Sequence, residues 1–166
     1  VVFVDGQPQP LEDRDVALAE EIIHLDHEID DMEVEIEEEC LKIIALHQPV
    51  ATDLRFLIAV IKINNDLERI GDQVVNIAQR VLSIAKRPTA PYNFDYSVMA
   101  DKAEAMLRMS LDSLVNQDLD DAIRVLHLDD EVDAIKDEVY ELIKKAIAGG
   151  VTDDIGYMIN LLLISR

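Results

Sequence analysis

Hydrophobic residues recur at helical spacing through the middle of the chain, from Asp53 to Lys86. This stretch contains no proline, and its only glycine is Gly71. The apolar positions that share one face are Leu57, Ile61, Val74, Val75, Ile77, Ala78 and Val81. At about 100° per residue, the opposite face is polar and consists of Arg55, Lys62, Asp66, Arg69, Gln73 and Arg80. The pattern therefore predicts one long amphipathic helix over residues 53–86.

Turn-forming residues divide the rest of the chain into further helical segments. Pro49 precedes one predicted helix start, Pro88 and Pro91 mark a linker, and Gly149 with Gly150 ends another helix. The predicted helices cover residues 11–47, 53–86, 95–117, 118–147 and 152–166. No alternating strand pattern competes with them, and a content of 4% aromatic residues with 5 Gly and 5 Pro favours helix over sheet. The predicted fold class is all-α.

Glu68 breaks the amphipathic pattern of the long helix. It belongs to a polar line of Asn64, Glu68, Asp72 and Asn76 that runs beside the apolar face. Because an unpaired buried charge is very costly, Glu68 requires a cation, a shared proton or a metal ion. Glu68 and Asp72 are one helical turn apart, and their oxygens suit iron, manganese, zinc, magnesium or calcium. The alternative is a polar edge where the helix meets water. Asn64 and Asn76 are either partners that orient these carboxylates or plain packing amides.

The first predicted helix carries an apolar seam with an acidic line beside it. The seam steps by three and four residues through Ile22, Leu25, Ile29, Met32, Ile36, Cys40 and Ile43. The acidic line consists of Asp26, Asp30, Glu33 and Glu37. In a chain this acidic, carboxylates four residues apart arise often by chance, so the pair of Asp26 and Asp30 carries little weight by itself.

An internal repeat adds weight to that pair. Residues 24–30, HLDHEID, reappear as residues 127–133, HLDDEVD. The second copy keeps the aspartate pair as Asp129 and Asp133. A repeat of this length is too long for a solenoid unit and indicates two copies of a small helical module.

The repeat divides the chain into two predicted modules, residues 11–86 and 97–166, joined by a linker at 87–96. A helical stretch precedes the repeated segment in the second module, whereas residues 1–14 contain two prolines and a glycine. The first module is therefore expected to lack its leading helix, and the last helix of the second module to be truncated at Arg166. Incomplete modules leave apolar seams open, which favours association of chains, most simply as a dimer.

Composition excludes several classes of partner. The formal net charge of −20 argues against nucleic acid and anionic membrane, and suits cations or a basic protein surface. No apolar run reaches the length of a membrane span, so membrane insertion is not expected. The single Cys40 cannot form an intrachain disulfide, which fits a core position in a cytoplasmic protein.

Several segments together form a specific pattern. They are Asp26–Ile36, Gln48–Arg55 (QPVATDLR), Asp66–Asp72 (DLERIGD) and Asn76–Ala78. In these segments the chain resembles the PhoU family of phosphate-signalling regulators, strongly over residues 13–86 and more weakly over 97–166. The resemblance implies two three-helix bundles, with E(D)xxxD motifs that bind iron or zinc clusters at the bundle surface. By position these motifs are Asp26 with Asp30, Glu68 with Asp72, and Asp129 with Asp133.

The resemblance also implies a function without catalysis. Members of the family act on a phosphate ABC-transporter complex and a sensor histidine kinase, and repress phosphate-starvation genes. Two alternatives remain, a di-metal carboxylate enzyme and a metal-binding scaffold, with magnesium or manganese as other possible ions. Helical di-metal enzymes use a pair of Glu-x-x-His motifs, and this sequence has no such pair, no Gly-rich phosphate loop and no nucleophile elbow. We therefore expect a regulator and not an enzyme.

Overall fold

The computed structural model describes residues 3–4, 7–8, 16–86, 94–149 and 155–166. The helices in these ranges are α1 (Val16–His47), α2 (Ala51–Ala85), α3 (Ser97–Asn116), α4 (Leu119–Ala148) and α5 (Ile155–Ile164). The predicted all-α class is confirmed. Each predicted helix overlaps an observed one closely, and the predicted starts at 11–15 and 152–154 lie outside the described residues.

Two short strands were not predicted. β1 (Phe3–Val4) pairs antiparallel with β2 (Gln7–Pro8), with Phe3 opposite Pro8 and Val4 opposite Gln7. Asp-Gly is a common dipeptide in tight hairpin turns, so Asp5-Gly6 was a usable signal in the sequence. Those two residues themselves lie outside the described ranges.

The helix ends follow from local hydrogen bonds. Gln117 adopts a left-handed conformation with φ 54°, and its N–H donates to the carbonyl of Leu114 at 3.3 Å, which ends α3. The Asp118 side chain then accepts from the N–H groups of Asp120 and Asp121 at 2.9 and 3.2 Å, which caps the start of α4. Gln48 and Ala51 also have positive φ, 46° and 48°, where the chain turns from α1 into α2.

The chain divides into two compact units, and each is described by itself. The hairpin unit is Val16–Gln79, and the bundle unit is Val1–Asp15 with Arg80–Arg166. The predicted linker between the two modules, residues 87–96, lies mostly outside the described residues. The predicted division into two modules at this linker stays a prediction.

In the hairpin unit, α1 packs against α2 in the antiparallel direction. A Cβ atom on Gly71 would lie 3.1 Å from Cδ1 and 3.3 Å from Cγ2 of Ile29, so glycine allows the two helices to approach closely here. The predicted core position of Cys40 is confirmed, with 5% of its surface exposed. Most of the predicted α1 seam is not buried, however, because Leu25, Ile29 and Met32 are 39 to 55% exposed. Packing by α2 covers only part of the α1 surface.

In the bundle unit, α5 packs against α4 and contributes four buried residues to the core. Among the residues of this unit that the structure describes, the buried ones are Val81, Ile84, Tyr96, Val139, Ile143, Ala146, Tyr157, Met158, Leu161, Ile164 and Ser165. The Tyr96 hydroxyl donates to the carbonyl of Leu161 at 2.7 Å, and burial raises the pKa of Tyr96. Arg80 was predicted on the solvent face of its helix, but it is half-buried and donates to Oδ1 of Asn160 at 3.5 Å. A contact distant in sequence therefore overrides the helical pattern at Arg80.

Candidate functional site

Glu68 lies half-buried on α2, close to the acids of α1. Its pKa is raised, first by burial and then by the negative charges of neighbouring carboxylates. Those carboxylates, in order of decreasing effect, are Asp72, Glu33, Asp30 and Asp26. No lysine or arginine in the described part of the chain offsets this effect. The predicted conflict between Glu68 and its surroundings is therefore present in the structure.

The structure brings together five carboxylates in the hairpin unit, which we call the hairpin acidic cluster: Asp26, Asp30, Glu33, Glu68 and Asp72. Four of them were predicted as metal ligands from the sequence. Asp26, Glu33 and Glu68 are half-buried, whereas Asp30 and Asp72 are exposed. Glu33 appeared in the acidic line of the sequence, but only the packing of α1 on α2 shows that it lies near Glu68.

Two asparagines of α2 donate hydrogen bonds to Glu33 on α1. Nδ2 of Asn64 donates to the main-chain carbonyl of Glu33 at 2.7 Å, and Nδ2 of Asn65 lies 3.4 Å from the Glu33 carboxylate. Asn64 is buried and Asn65 is exposed. Asn76, the other predicted orienting amide, is exposed. Asn64 therefore connects α2 to α1 at the acidic cluster, and it does so through the backbone.

The donor set of the cluster suits a hard cation, because it consists of carboxylate oxygens. Within residues 16–86, 94–149 and 155–166, no group of three or more His, Cys, Asp or Glu side chains is placed to hold one ion. The acids lie instead as pairs one turn apart on each helix, with Asp30 and Asp72 open to water. An ion bound here would take ligands from such pairs and complete its coordination with water.

The aspartate pair of the second copy has different surroundings. Asp129 and Asp133 lie exposed on α4 in the bundle unit. Nζ of Lys136 donates to Oδ1 of Asp133, and this hydrogen bond is the main cause of the raised pKa of Lys136. By the repeat, Lys136 takes the position that Glu33 has in the first copy. The second pair thus has a cation of its own where the first has another acid.

Histidine contributes little to either site. His24, His27 and His127 are exposed, and Nδ1 of His27 lies 4.0 Å from the Asp30 carboxylate. One Glu-x-x-His spacing does occur, at Glu21 and His24, and both side chains are exposed on α1. A di-metal bundle enzyme needs this motif on two helices.

A surface groove of about 460 Å³ adjoins the cluster in the hairpin unit. It is lined by Glu33, Glu37, Lys62 and Asn64, together with neighbouring residues of α2. Glu33, Glu37 and Asp66 outnumber the one lysine among the lining residues, so the groove is acidic overall. Sequence reasoning had no signal for it, because the lining residues come from two helices.

These features define an all-α protein with paired carboxylates on an antiparallel helical hairpin. The family model of the PhoU domain matches residues 9–81 and 96–166. The chain therefore belongs to the PhoU family, and the predicted resemblance is confirmed. The two matched segments contain the two copies of the internal repeat.

Named relatives agree with this assignment. A phosphate-specific transport system accessory protein PhoU homolog from Aquifex aeolicus is 36% identical over 91% of this chain and 66% of its own length. A homolog of the same name from Deinococcus radiodurans is 36% identical over 88% of this chain and 67% of its own length. The crystal structure of PhoU from Pseudomonas aeruginosa superposes with a TM-score of 0.82 and 30% identity, over 94% of this chain and 75% of that one.

The chain spans about two thirds of the length of these curated relatives. Both relatives are named as accessory proteins of phosphate transport. None of the described helices combines the length and the apolar character that crossing a bilayer requires.

Proposed function

We propose that this chain is a non-catalytic regulator of phosphate uptake and of phosphate-starvation signalling, which acts through protein–protein interaction in the cytoplasm. The observation that carries the proposal is the match of both halves of the chain to the PhoU domain. Relatives that share 36% of aligned residues are named accessory proteins of the phosphate-specific transport system. The partners in this proposal are a phosphate ABC-transporter complex and its sensor histidine kinase.

The surface charge of α1 supports docking to a basic partner. No lysine or arginine occurs from Glu20 to Glu39, and most of the acids in this range are exposed. A continuous acidic surface speeds association with a positively charged protein and disfavours like-charged ones. Electrostatic attraction of this kind predicts binding that weakens as salt concentration rises.

Metal binding is the second part of the proposal. The ligands would be Asp26, Asp30, Glu68 and Asp72, with iron or zinc as the first ions to test and manganese or magnesium next. The raised pKa of Glu68 supports the proposal, because a bound cation would offset the repulsion among these carboxylates. Asp129 and Asp133 are proposed as a weaker pair, since Lys136 already neutralises Asp133.

Association between chains completes the proposal. Leu46 and Val50, near the turn between α1 and α2, are 77 and 73% exposed, and further apolar residues are exposed along α1. Apolar surface of this kind commonly marks an interface. A dimer would show as a doubled mass in sedimentation equilibrium, and a single-chain mass at micromolar concentration would contradict it.

The regulatory function is tested by complementation. The chain would be expressed in Pseudomonas aeruginosa cells that lack their own PhoU protein and carry a phosphate-starvation reporter. We expect repression of the reporter at high phosphate, because the chain would replace the missing regulator. Full reporter expression, with the chain present at normal abundance, would contradict the proposal.

Metal binding is tested by elemental analysis of protein purified without chelators. We expect bound metal in the unchanged chain and its loss in the double variant Glu68→Ala with Asp72→Ala. The matched control is Asp31→Ala with Glu35→Ala, which removes two exposed acids one turn apart on α1 outside the cluster. Equal metal content in both double variants would show that the metal binds elsewhere.

A further inference from the structure

The first two turns of α4 expose a line of aliphatic side chains. Leu119, Ile123 and Leu126 are 73, 44 and 66% exposed, and we call these three residues the α4 stripe. They are spaced i, i+4 and i+7, so at about 100° per residue they lie within about 60° of one another around the helix. Val115, in the last turn of α3, is 71% exposed and adds a fourth aliphatic residue just before the turn into α4. Single exposed aliphatic residues are normal on a protein surface, whereas a continuous line of them commonly marks an interaction site.

The α4 stripe lies on the side of the helix that faces away from the core. The buried residues of α4 are Val139, Ile143 and Ala146. By helical spacing they lie about 180° to 240° around the helix axis from Leu119. Packing of the bundle unit therefore does not require aliphatic side chains at the three positions of the stripe.

The first copy of the repeat has no such line. By the repeat, the three positions of the α4 stripe correspond to Val16, Glu20 and Ile23 on α1. Glu20 is exposed and interrupts the line, and Ile23 is half-buried. Because only one copy carries the stripe, it is not a requirement of the helical module and has a role specific to the bundle unit.

The ends of the α4 stripe are acidic. Asp118, Asp120 and Asp130 are exposed there. Arg124, the only lysine or arginine from residue 118 to residue 130, donates to the Asp121 carboxylate at 2.8 Å, so its charge is already paired. A partner therefore meets an aliphatic line with a negative rim. Charge complementarity favours lysine or arginine on the surface that covers it.

We propose that the α4 stripe docks a basic amphipathic helix of a partner protein. Side chains of such a helix recur every three to four residues, so its aliphatic ridge can pack beside the ridge of the stripe, with its basic flanks at the acidic ends. A second copy of this chain would instead bring like charges together. Four aliphatic side chains, even if fully exposed, also offer less than the about 800 Å² per partner that a stable interface buries, and a contact of this size suits transient signalling.

This inference deepens the proposed regulation by protein–protein interaction and rests on it for its physiological role. The docking itself is tested by photo-cross-linking on the whole chain. A photoreactive benzophenone amino acid would take the place of Leu126, or of Leu142 as the matched control, which is 50% exposed on the same helix outside the stripe. The probe is a synthetic peptide of leucine, alanine and lysine, arranged so that leucine lines one helical face and lysine flanks it.

We expect about tenfold more peptide adduct at position 126 than at position 142. A peptide of the same composition in scrambled order, which has no aliphatic face, should give equally low yields at both positions. Equal yields from the two peptides at position 126 would overturn the inference, because they would show attraction by net charge alone. A covalent dimer of the chain in place of the peptide adduct would also overturn it, because the occupant would then be a second copy.

The remaining residues of the stripe provide a second measurement. Leu119→Gln with Ile123→Gln should lower the adduct yield at position 126 about tenfold, whereas Leu142→Gln with Ile147→Gln, two exposed aliphatic residues of α4 outside the stripe, should leave it unchanged. Both double variants should keep the melting temperature of the unchanged chain, since the replaced side chains lie outside the core. If the stripe variant does not fold, Leu119→Gln alone replaces it. An unchanged yield in the folded stripe variant would contradict docking at this surface.

The role in regulation is tested in the reporter strain described above. We expect the chain with Leu119→Gln, Ile123→Gln and Leu126→Gln to lose repression at normal abundance, and the control double variant to keep it. Full repression by the triple variant would overturn the stripe as a regulatory docking surface. If the unchanged chain does not repress the reporter, the proposed regulatory function fails. The cross-linking then still decides whether the stripe docks a basic helix.

Discussion

The two copies of the repeated segment lie in different surroundings, although their sequences are alike. On α4, Val139 and Ile143 are 5 and 4% exposed, and Lys102 of α3 pairs with Glu131. On α1, Ile36, which corresponds to Val139, is 36% exposed. Cys40, which corresponds to Ile143, is 5% exposed, so the same helical pattern is covered over more of its length in the bundle unit than in the hairpin unit.

The charged neighbours of the two aspartate pairs also differ. In the second copy, Lys136 pairs with Asp133, whereas Glu33 stands at the corresponding position of the first copy and adds to the repulsion on Glu68. One aspartate pair thus has a cation on its own helix, whereas the other has a further acid at the corresponding position. The comparison shows that a shared motif does not define a shared site, because the neighbours set its electrostatics.

The largest expected effect tests the difference in burial. Ile143→Ala should lower the free energy of unfolding by about 2–5 kcal/mol, because it leaves a cavity in the bundle unit. Met32→Ala on α1, which is 55% exposed, should cost about 0.5 kcal/mol or less. Urea denaturation measures both. Equal costs would mean that the α1 seam is covered in solution.

The next effect tests the close approach of α1 and α2. Gly71→Ala gains about 1 kcal/mol of helix propensity but places a methyl group against Ile29. The substitution should therefore be more favourable in an Ile29→Ala background, by a coupling free energy of about 0.5–2 kcal/mol in a double-mutant cycle. Additive effects would show that these residues are not in contact.

Exchanging the charges at residues 33 and 136 between the two copies should give a smaller change in stability, measured as the melting temperature. Glu33→Lys gives the first copy the cation of the second, so we expect a higher melting temperature without metal and a reduced Mn²⁺ increment. Lys136→Glu makes the opposite change and should lower the metal-free melting temperature. Differential scanning fluorimetry with and without Mn²⁺ measures both variants. If Glu33→Lys keeps the full increment, the charge at residue 33 does not influence the proposed cation site.

The smallest effect is a pH dependence centred on Glu68. The pKa of Glu68 is raised in the folded state, so protonation of Glu68 favours folding. This contribution to the free energy of unfolding is present at low pH and is lost as the pH rises through the folded pKa. In metal-free protein, Glu68→Gln should therefore increase stability at neutral pH and have little effect well below the ordinary value of 4.5. Urea denaturation at both pH values measures this. The control Asp31→Asn should show no such pH dependence, and an effect equal to that of Glu68→Gln would point to net charge alone.

Much of the fold was predictable because helix formation depends on local periodicity. The apolar spacing and the turn residues gave five helices close to the observed ranges, and the repeat identified both aspartate pairs. The signal of Asp5-Gly6 for a hairpin and the spacing of Asp133 and Lys136 for an ion pair were also present in the sequence and were not used. They too depend only on residues near one another in the chain.

The rest depends on contacts between residues far apart in sequence. Periodicity placed Arg80 on a solvent face, but Asn160 comes from another helix and binds it. Glu33 joins Glu68 only because α1 packs on α2 in one register, and the partner of Asn64 is a backbone carbonyl that side-chain patterns do not reveal. The sequence by itself thus determined the helices and their carboxylate pairs. The tertiary structure decided which pairs face one another, because the register of packed helices is a property of both helices together.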